Sequence, residues 1–98
     1  MSIRRKYNLP KTIAVDVDGT LVRIDGLNER LVQKLKGFKK QGFRLLLWSM
    51  RGADYCQDVI KANRLEGLFD VVTGKPGYIA DDAGWNWTRR TRAIMIDD

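Results

Sequence analysis

Histidine is absent from this 98-residue chain, and cysteine occurs once, at Cys56. Without imidazole there is no Ser-His-Asp or Cys-His nucleophile design. Without a Cys/His cluster there is no zinc site of that type, and a single thiol cannot close an intrachain disulfide. A reducing cytoplasm is the compartment expected from this usage. Proline is confined to Pro10 and Pro76, both outside the segments that read as helices or strands, where a missing N–H costs little. No run approaches the ~18 apolar residues of a membrane span. The basic opening stretch MSIRRKYNLPK lacks the apolar segment of a signal peptide, so neither secretion nor membrane insertion is expected. Repeats, linkers and low-complexity tracts are missing too, and one domain over residues 1–98 is expected. Catalysis, if there is any, has to rest on carboxylates, lysine, arginine or a metal ion.

Basic residues are plentiful: eighteen Lys and Arg stand against twelve Asp and Glu, a formal charge of +6. A solvated basic surface and an attraction for polyanions both fit that surplus. The placement of the acids says more, because several fall at the ends of apolar runs. Residues 12–17 read as a β-rich run interrupted by Asp16, the pattern of a buried central strand whose C-terminal end opens onto a site. Asp25-Gly26 within 21–27 suggests a short hairpin or flap. Leu31, Leu35 and Phe38 recur at helical spacing over 28–41, with Asn28 placed to cap the start and Gly42 to end the helix in a left-handed turn. Residues 43–48 read as a second buried strand with Ser49 at its end. Ala53, Cys56, Val59, Ile60 and Asn63 mark a second helix. A third strand is predicted over 68–72, ending at Thr73-Gly74, a fourth over 78–80 and a fifth over 93–96. Strands alternating with helices imply a parallel sheet with right-handed crossovers.

Ligands in such sheets bind outside the carboxyl ends of the strands. Asp16, Asp18, Ser49, Lys75 and Asp81 are expected to converge there. In Asp16-Val17-Asp18-Gly19-Thr20-Leu21 two carboxylates flank one apolar residue, and Gly19 permits the backbone turn that aims both at one point. An Asp-Gly turn with incidental acids is the plainer reading of the same residues. Ser49, with the neighbouring backbone N–H groups of Met50 and Arg51, is suited to phosphate oxygens, although a strand-end serine also satisfies its own backbone. The Arg51 side chain could meet a phosphate or form an exposed salt bridge.

DVDGTL resembles the first motif, DxDGT/V, of the haloacid dehalogenase superfamily of phosphohydrolases. LLLWSM then resembles its second motif through Ser49, Gly74-Lys75-Pro76 its third, and Tyr78-Ile79-Ala80-Asp81-Asp82 its fourth. The resemblance runs from Thr12 to about Asp82. It implies a three-layer α/β/α sandwich with a mainly parallel, Rossmann-like sheet, and the short gaps between motifs imply no sizeable cap. It further implies Asp16 as the nucleophile forming an aspartyl-phosphate, Asp18 as general acid and then base, and Lys75 as the cation offsetting repulsion between Asp16 and the phosphoryl group. Mg²⁺ would be held by Asp16, by Asp18 through its backbone carbonyl, and by Asp81 and Asp82. Hard oxygen donors without Cys or His suit that ion. Ile94-Met95-Ile96-Asp97-Asp98 has the same form as the fourth motif and is the alternative source of acids. GKPGYIADD resembles the compact spacing of some small relatives, which favours Asp81 and Asp82.

The expected function is therefore Mg²⁺-dependent hydrolysis of a phosphomonoester, on a small molecule, nucleotide or nucleic-acid end. A non-catalytic module that binds phosphate or nucleic acid on the same fold is the alternative, and transfer to an acceptor other than water is a third. Residues 84–92 combine Trp85 and Trp87 with Arg89, Arg90 and Arg92. Stacking on bases with phosphate contacts is one reading of them; tryptophans packed on the sheet beneath solvated arginines is the expected one.

Overall fold

A nearly unbroken apolar run belongs in the middle of a sheet, paired along both edges, and residues 44–49 occupy that position. The structure, a computed structural model, describes residues 9–97. Its elements in chain order are β1 (Thr12–Asp16), β2 (Val22–Arg23), β3 (Gly26–Leu27), α1 (Glu29–Lys40), β4 (Arg44–Ser49), α2 (Ala53–Ala62), β5 (Val71–Gly74) and a 3-10 helix (Gly84–Arg90). The three longer strands form a parallel sheet in the order β1-β4-β5, and β2 pairs with β3 in a separate antiparallel hairpin. The protein is thus a small α/β fold with a parallel three-stranded sheet. Among the described residues, no helix is long and apolar enough to cross a membrane.

Both crossovers step the same way across the sheet, so with the usual right hand they set α1 and α2 on one face. The burial alternation agrees with that placement. Ile13, Val15, Leu45 and Leu47 are buried, and they pack with Leu31, Val32 and Leu35 of α1 and Cys56, Val59 and Ile60 of α2. On the opposite face Leu46 and Trp48 are half-buried and Ala14 is exposed.

Local chemistry explains the helix ends. Asn28 Oδ1 accepts the Leu31 N–H at 3.2 Å, satisfying one of the free donors of the first turn of α1. At the other end Gly42 has φ +91°, in the left-handed region that favours glycine. The N–H of Gly42 bonds the carbonyl of Lys39, and that of Phe43 bonds the carbonyl of Phe38. The Phe38 and Phe43 rings meet edge to face at 5.0 Å, the apolar contact that accompanies this helix stop.

Four strand expectations need correction. β1 is an edge of the sheet rather than a central strand, because among the described residues nothing pairs with its other side. The third strand begins later than predicted, at Val71; Leu68 is instead buried in the core just before it. Residues 78–80 and 93–96 form no strand. Pro76 and Gly77 lead into the first of these, and Tyr78 points almost wholly into solvent, so its ring does not hold that segment against a sheet edge. The second keeps the alternation of a strand, with Ile94 and Ile96 packed against the core. Side chains of α1 hold its backbone instead of a ladder: Asn28 Nδ2 donates to the Ile96 carbonyl at 2.9 Å and Lys34 Nζ to that of Met95 at 2.8 Å.

Asp70 clamps the start of β5 to β4. Its backbone N–H donates to the Leu45 carbonyl at 2.7 Å, and its Oδ2 accepts the Leu45 N–H at 2.8 Å. Lys39 Nζ lies 3.3 Å from Oδ1. The Leu45 N–H, and then Lys39, hold the Asp70 carboxyl below its ordinary value. A carboxyl depressed in the native state adds stability that is full above its unfolded value, about pH 4, and is lost as pH falls through the native value. Asp70→Asn is accordingly expected to flatten the acid limb of the stability curve, measured as urea midpoints at a series of pH values. An unchanged limb would exclude Asp70 as a source of acid sensitivity.

Candidate active site

The turn after β1 is built by inward-facing apolar residues that leave its two acids outside. Val17 and Leu21 are fully buried, while Asp16 is half-buried and Asp18 exposed. The N–H groups of Thr20 and Val22 both bond the Val17 carbonyl, and the Leu21 N–H bonds that of Asp16. Gly19, at φ +81°, supplies the left-handed residue that the reversal requires. Alternation along the chain then turns the side chains of Asp16 and Asp18 away from the buried side of Val17.

Ser49 ties the next two strand ends together. It is 3% exposed; its Oγ accepts the Arg51 N–H at 3.0 Å, and its carbonyl accepts the N–H groups of Gly52 at 3.0 Å and Lys75 at 2.8 Å. Gly52, at φ +97°, turns the chain into α2. Through these bonds the loops after β4 and β5 are held side by side. Lys75 Nζ lies 3.9 Å from Asp16 Oδ1, and Arg51 Nη1 lies 3.6 Å from Asp18 Oδ2. Of the five residues expected to converge, Asp16, Asp18, Ser49 and Lys75 thus lie along one end of the sheet with Arg51 among them, whereas Asp81 makes no hydrogen bond or ion pair with them among the described residues, and Met50 sits exposed beside the cluster.

Tyr55 joins this cluster without having been expected there. Its hydroxyl donates to Asp18 Oδ1 at 2.6 Å, and the Arg51 guanidinium stacks 3.8 Å from its ring centroid. Donation to the Asp18 carboxylate, more than partial burial, raises the phenol above its ordinary value, and Arg51 opposes the shift. The available sequence signal was a tyrosine in the first turn of a helix that starts at a strand-end loop. One position on, Cys56 is buried with its thiol 3.9 Å from the Thr73 carbonyl. Burial pushes that thiol up, which suits packing rather than nucleophilic attack.

The fourth-motif acids do not complete the cluster. Asp81 and Asp82 are exposed, and Asp81 Oδ1 accepts the Ala83 N–H at 2.8 Å in the turn that opens the 3-10 helix. Asp97 forms an ion pair with Arg23 of the hairpin, and Asp98 lies outside the described residues. Among the described residues no three acidic or thiol side chains gather as a metal-holding group. The expected set of four acids is thus not assembled, because Asp81 and Asp82 ride on a segment that lacks the ladder a fourth strand would have supplied. Trp85 departs from expectation as well: it is 71% exposed rather than packed on the sheet.

No family model matches the chain, and neither a curated protein nor a solved structure matches it.

Proposed function

We propose that this protein is a Mg²⁺-dependent phosphomonoester hydrolase of the haloacid dehalogenase kind, working through an aspartyl-phosphate. The observation that carries this reading is the meeting of Asp16, Asp18, Ser49 and Lys75 from three consecutive parallel strand ends. On this reading an Asp16 oxygen attacks phosphorus and the bond to the leaving oxygen breaks. Asp18 protonates that oxygen, then takes a proton from the water that attacks the aspartyl-phosphate. Lys75 offsets the repulsion between Asp16 and the incoming phosphate, and Ser49 keeps Lys75 in place through its carbonyl. The half-open face of the sheet is where the remaining layer of a three-layer sandwich would lie.

The donors present suit a hard cation. Asp16 offers a half-buried carboxylate, and the Asp18 carbonyl accepts no hydrogen bond among the described residues. Mg²⁺ bound there would neutralise charge and align the phosphate. Its remaining acid would come from Asp81 and Asp82 or from the terminal pair. The anchoring of 95–97 to Asn28, Lys34 and Arg23 supports the terminal pair, and the compact GKPGYIADD spacing supports the other. Asn substitution at the contributing pair is expected to raise the Mg²⁺ concentration for half-maximal activity by more than about tenfold, against little change for the other pair. Equal effects of both would remove the distinction.

The exposed Trp85 and the arginines at 89, 90 and 92, none paired with an acid among the described residues, support a phosphorylated nucleic-acid end over a small metabolite. A cytoplasmic location belongs to the same proposal. Its test is release of phosphate from 5′- and 3′-phosphorylated oligonucleotides and an aryl phosphate, with Mg²⁺ and with chelator. Salt-sensitive oligonucleotide binding without turnover would instead favour a non-catalytic binding module. Appearance of phosphate on an added acceptor alcohol would make the protein a transferase.

A further inference from the structure

Asp18 stands on an exposed turn, where nothing in its own loop fixes the carboxylate. An acid that must meet a leaving oxygen within hydrogen-bond reach needs one orientation. Two side chains of the adjoining segment provide it, each gripping a different oxygen. Tyr55 donates to Oδ1 at 2.6 Å, and Arg51 faces Oδ2 at 3.6 Å. The two grips differ in firmness. Tyr55 belongs to the first turn of α2, its ring is half-buried against the core, and a ring with two side-chain torsions has few ways to move. Arg51 lies in the loop before α2, its side chain is 62% exposed, and its contact with the carboxylate is longer than a hydrogen bond.

We propose that Tyr55 is a positioning residue for Asp18, and that Arg51, stacked on the Tyr55 ring, is the group a substrate phosphate draws away from Oδ2. This rests on the phosphatase reading above and adds to it a division of labour. The phosphate dianion offers the guanidinium a paired, charge-assisted contact that outcompetes the 3.6 Å approach to Asp18. Rotation of Arg51 toward phosphate frees Oδ2 to carry the proton that passes to the leaving oxygen, while Tyr55 still holds Oδ1. The stack on Tyr55 keeps the guanidinium plane beside the site in both positions, so arrival of the substrate and release of the acid are one event.

The division predicts opposite kinetic signatures. Tyr55→Phe keeps the ring, its packing and the Arg51 stack, and removes one hydroxyl. It is expected to lower kcat about tenfold with KM changed less than about twofold and no loss of thermal stability. Arg51→Lys keeps the charge but loses the planar fork. It is expected to raise KM about five- to tenfold with a smaller change in kcat. Both are measured with an aryl phosphate and Mg²⁺, beside wild type and Asp16→Asn. A Tyr55→Phe enzyme with wild-type kcat, or one whose KM and thermal midpoint shift together, overturns the positioning role while the phosphatase reading stands. Arg51→Lys acting on kcat alone overturns the exchange. Wild-type protein without turnover removes the phosphatase reading, and this proposal with it.

Discussion

Asp16→Asn is expected to lower Mg²⁺-dependent hydrolysis of an aryl phosphate by on the order of 10³-fold or more, the scale seen when a covalent nucleophile is removed. The amide is isosteric but its neutral oxygen is a far poorer nucleophile than the carboxylate, so the attack on phosphorus is lost. The loss should fall on kcat, because Ser49, Arg51 and Lys75 remain to hold the phosphate. Stability should change little, since the carboxylate is half-buried at a strand end and its one ion pair among the described residues is with Lys75, at 3.9 Å. What holds Asp16 in place is its backbone, through the parallel ladder with β4 and the Leu21 N–H, and the substitution leaves both. Single-turnover trapping of phosphate on the protein would sharpen the test: label should appear on wild type and not on the variant. Full activity in Asp16→Asn would end the mechanism.

Leu47→Ala is expected to give the largest loss of stability, about 3–4 kcal/mol. Leu47 is fully buried in the central strand, where the sheet meets the core, with Val15 beside it across the ladder. Removal of three carbons there leaves a void that the regular backbone of β4 cannot close. A domain of this size has only ~5–10 kcal/mol in all, so the variant should unfold at roughly half the wild-type urea concentration, with an unchanged slope. Leu46→Ala is the control one residue away. Its side chain lies on the half-open face, and about 1 kcal/mol is expected. Equal losses at the two positions would mean that both faces of the sheet are covered in solution.

The candidate site was legible in the sequence wherever it lies at the end of a regular element. Asp16, Ser49 and Lys75 follow β-rich runs whose parallel pairing brings their ends together, so order along the chain translates directly into place in space. Tyr55 was not legible, because its role depends on the angle at which α2 leaves Gly52 and on the rotamer that reaches Asp18, and neither is written in local spacing. The strand expected over 78–80, ahead of Asp81 and Asp82, misled for a related reason. The pattern of an apolar triplet before paired acids is present, but Pro76, Gly77 and an exposed Tyr78 leave the triplet without a strand to pair with. Trp85 likewise obeys no periodicity that would tell an exposed ring from a packed one.

Sequence alone determined the capped first helix, the second helix, the buried run at 43–48, the flap at Asp25-Gly26 and the paired acids at 16 and 18. All follow from hydrophobic period, capping chemistry and glycine, which act over a few residues. Tertiary structure decided that β1 is an edge and that side chains of α1 hold residues 95–96 by their carbonyls. It also decided that Asp18 is gripped by Tyr55 and Arg51. Those outcomes depend on which surfaces meet across distant stretches of chain, and contacts of that range leave no period in the sequence.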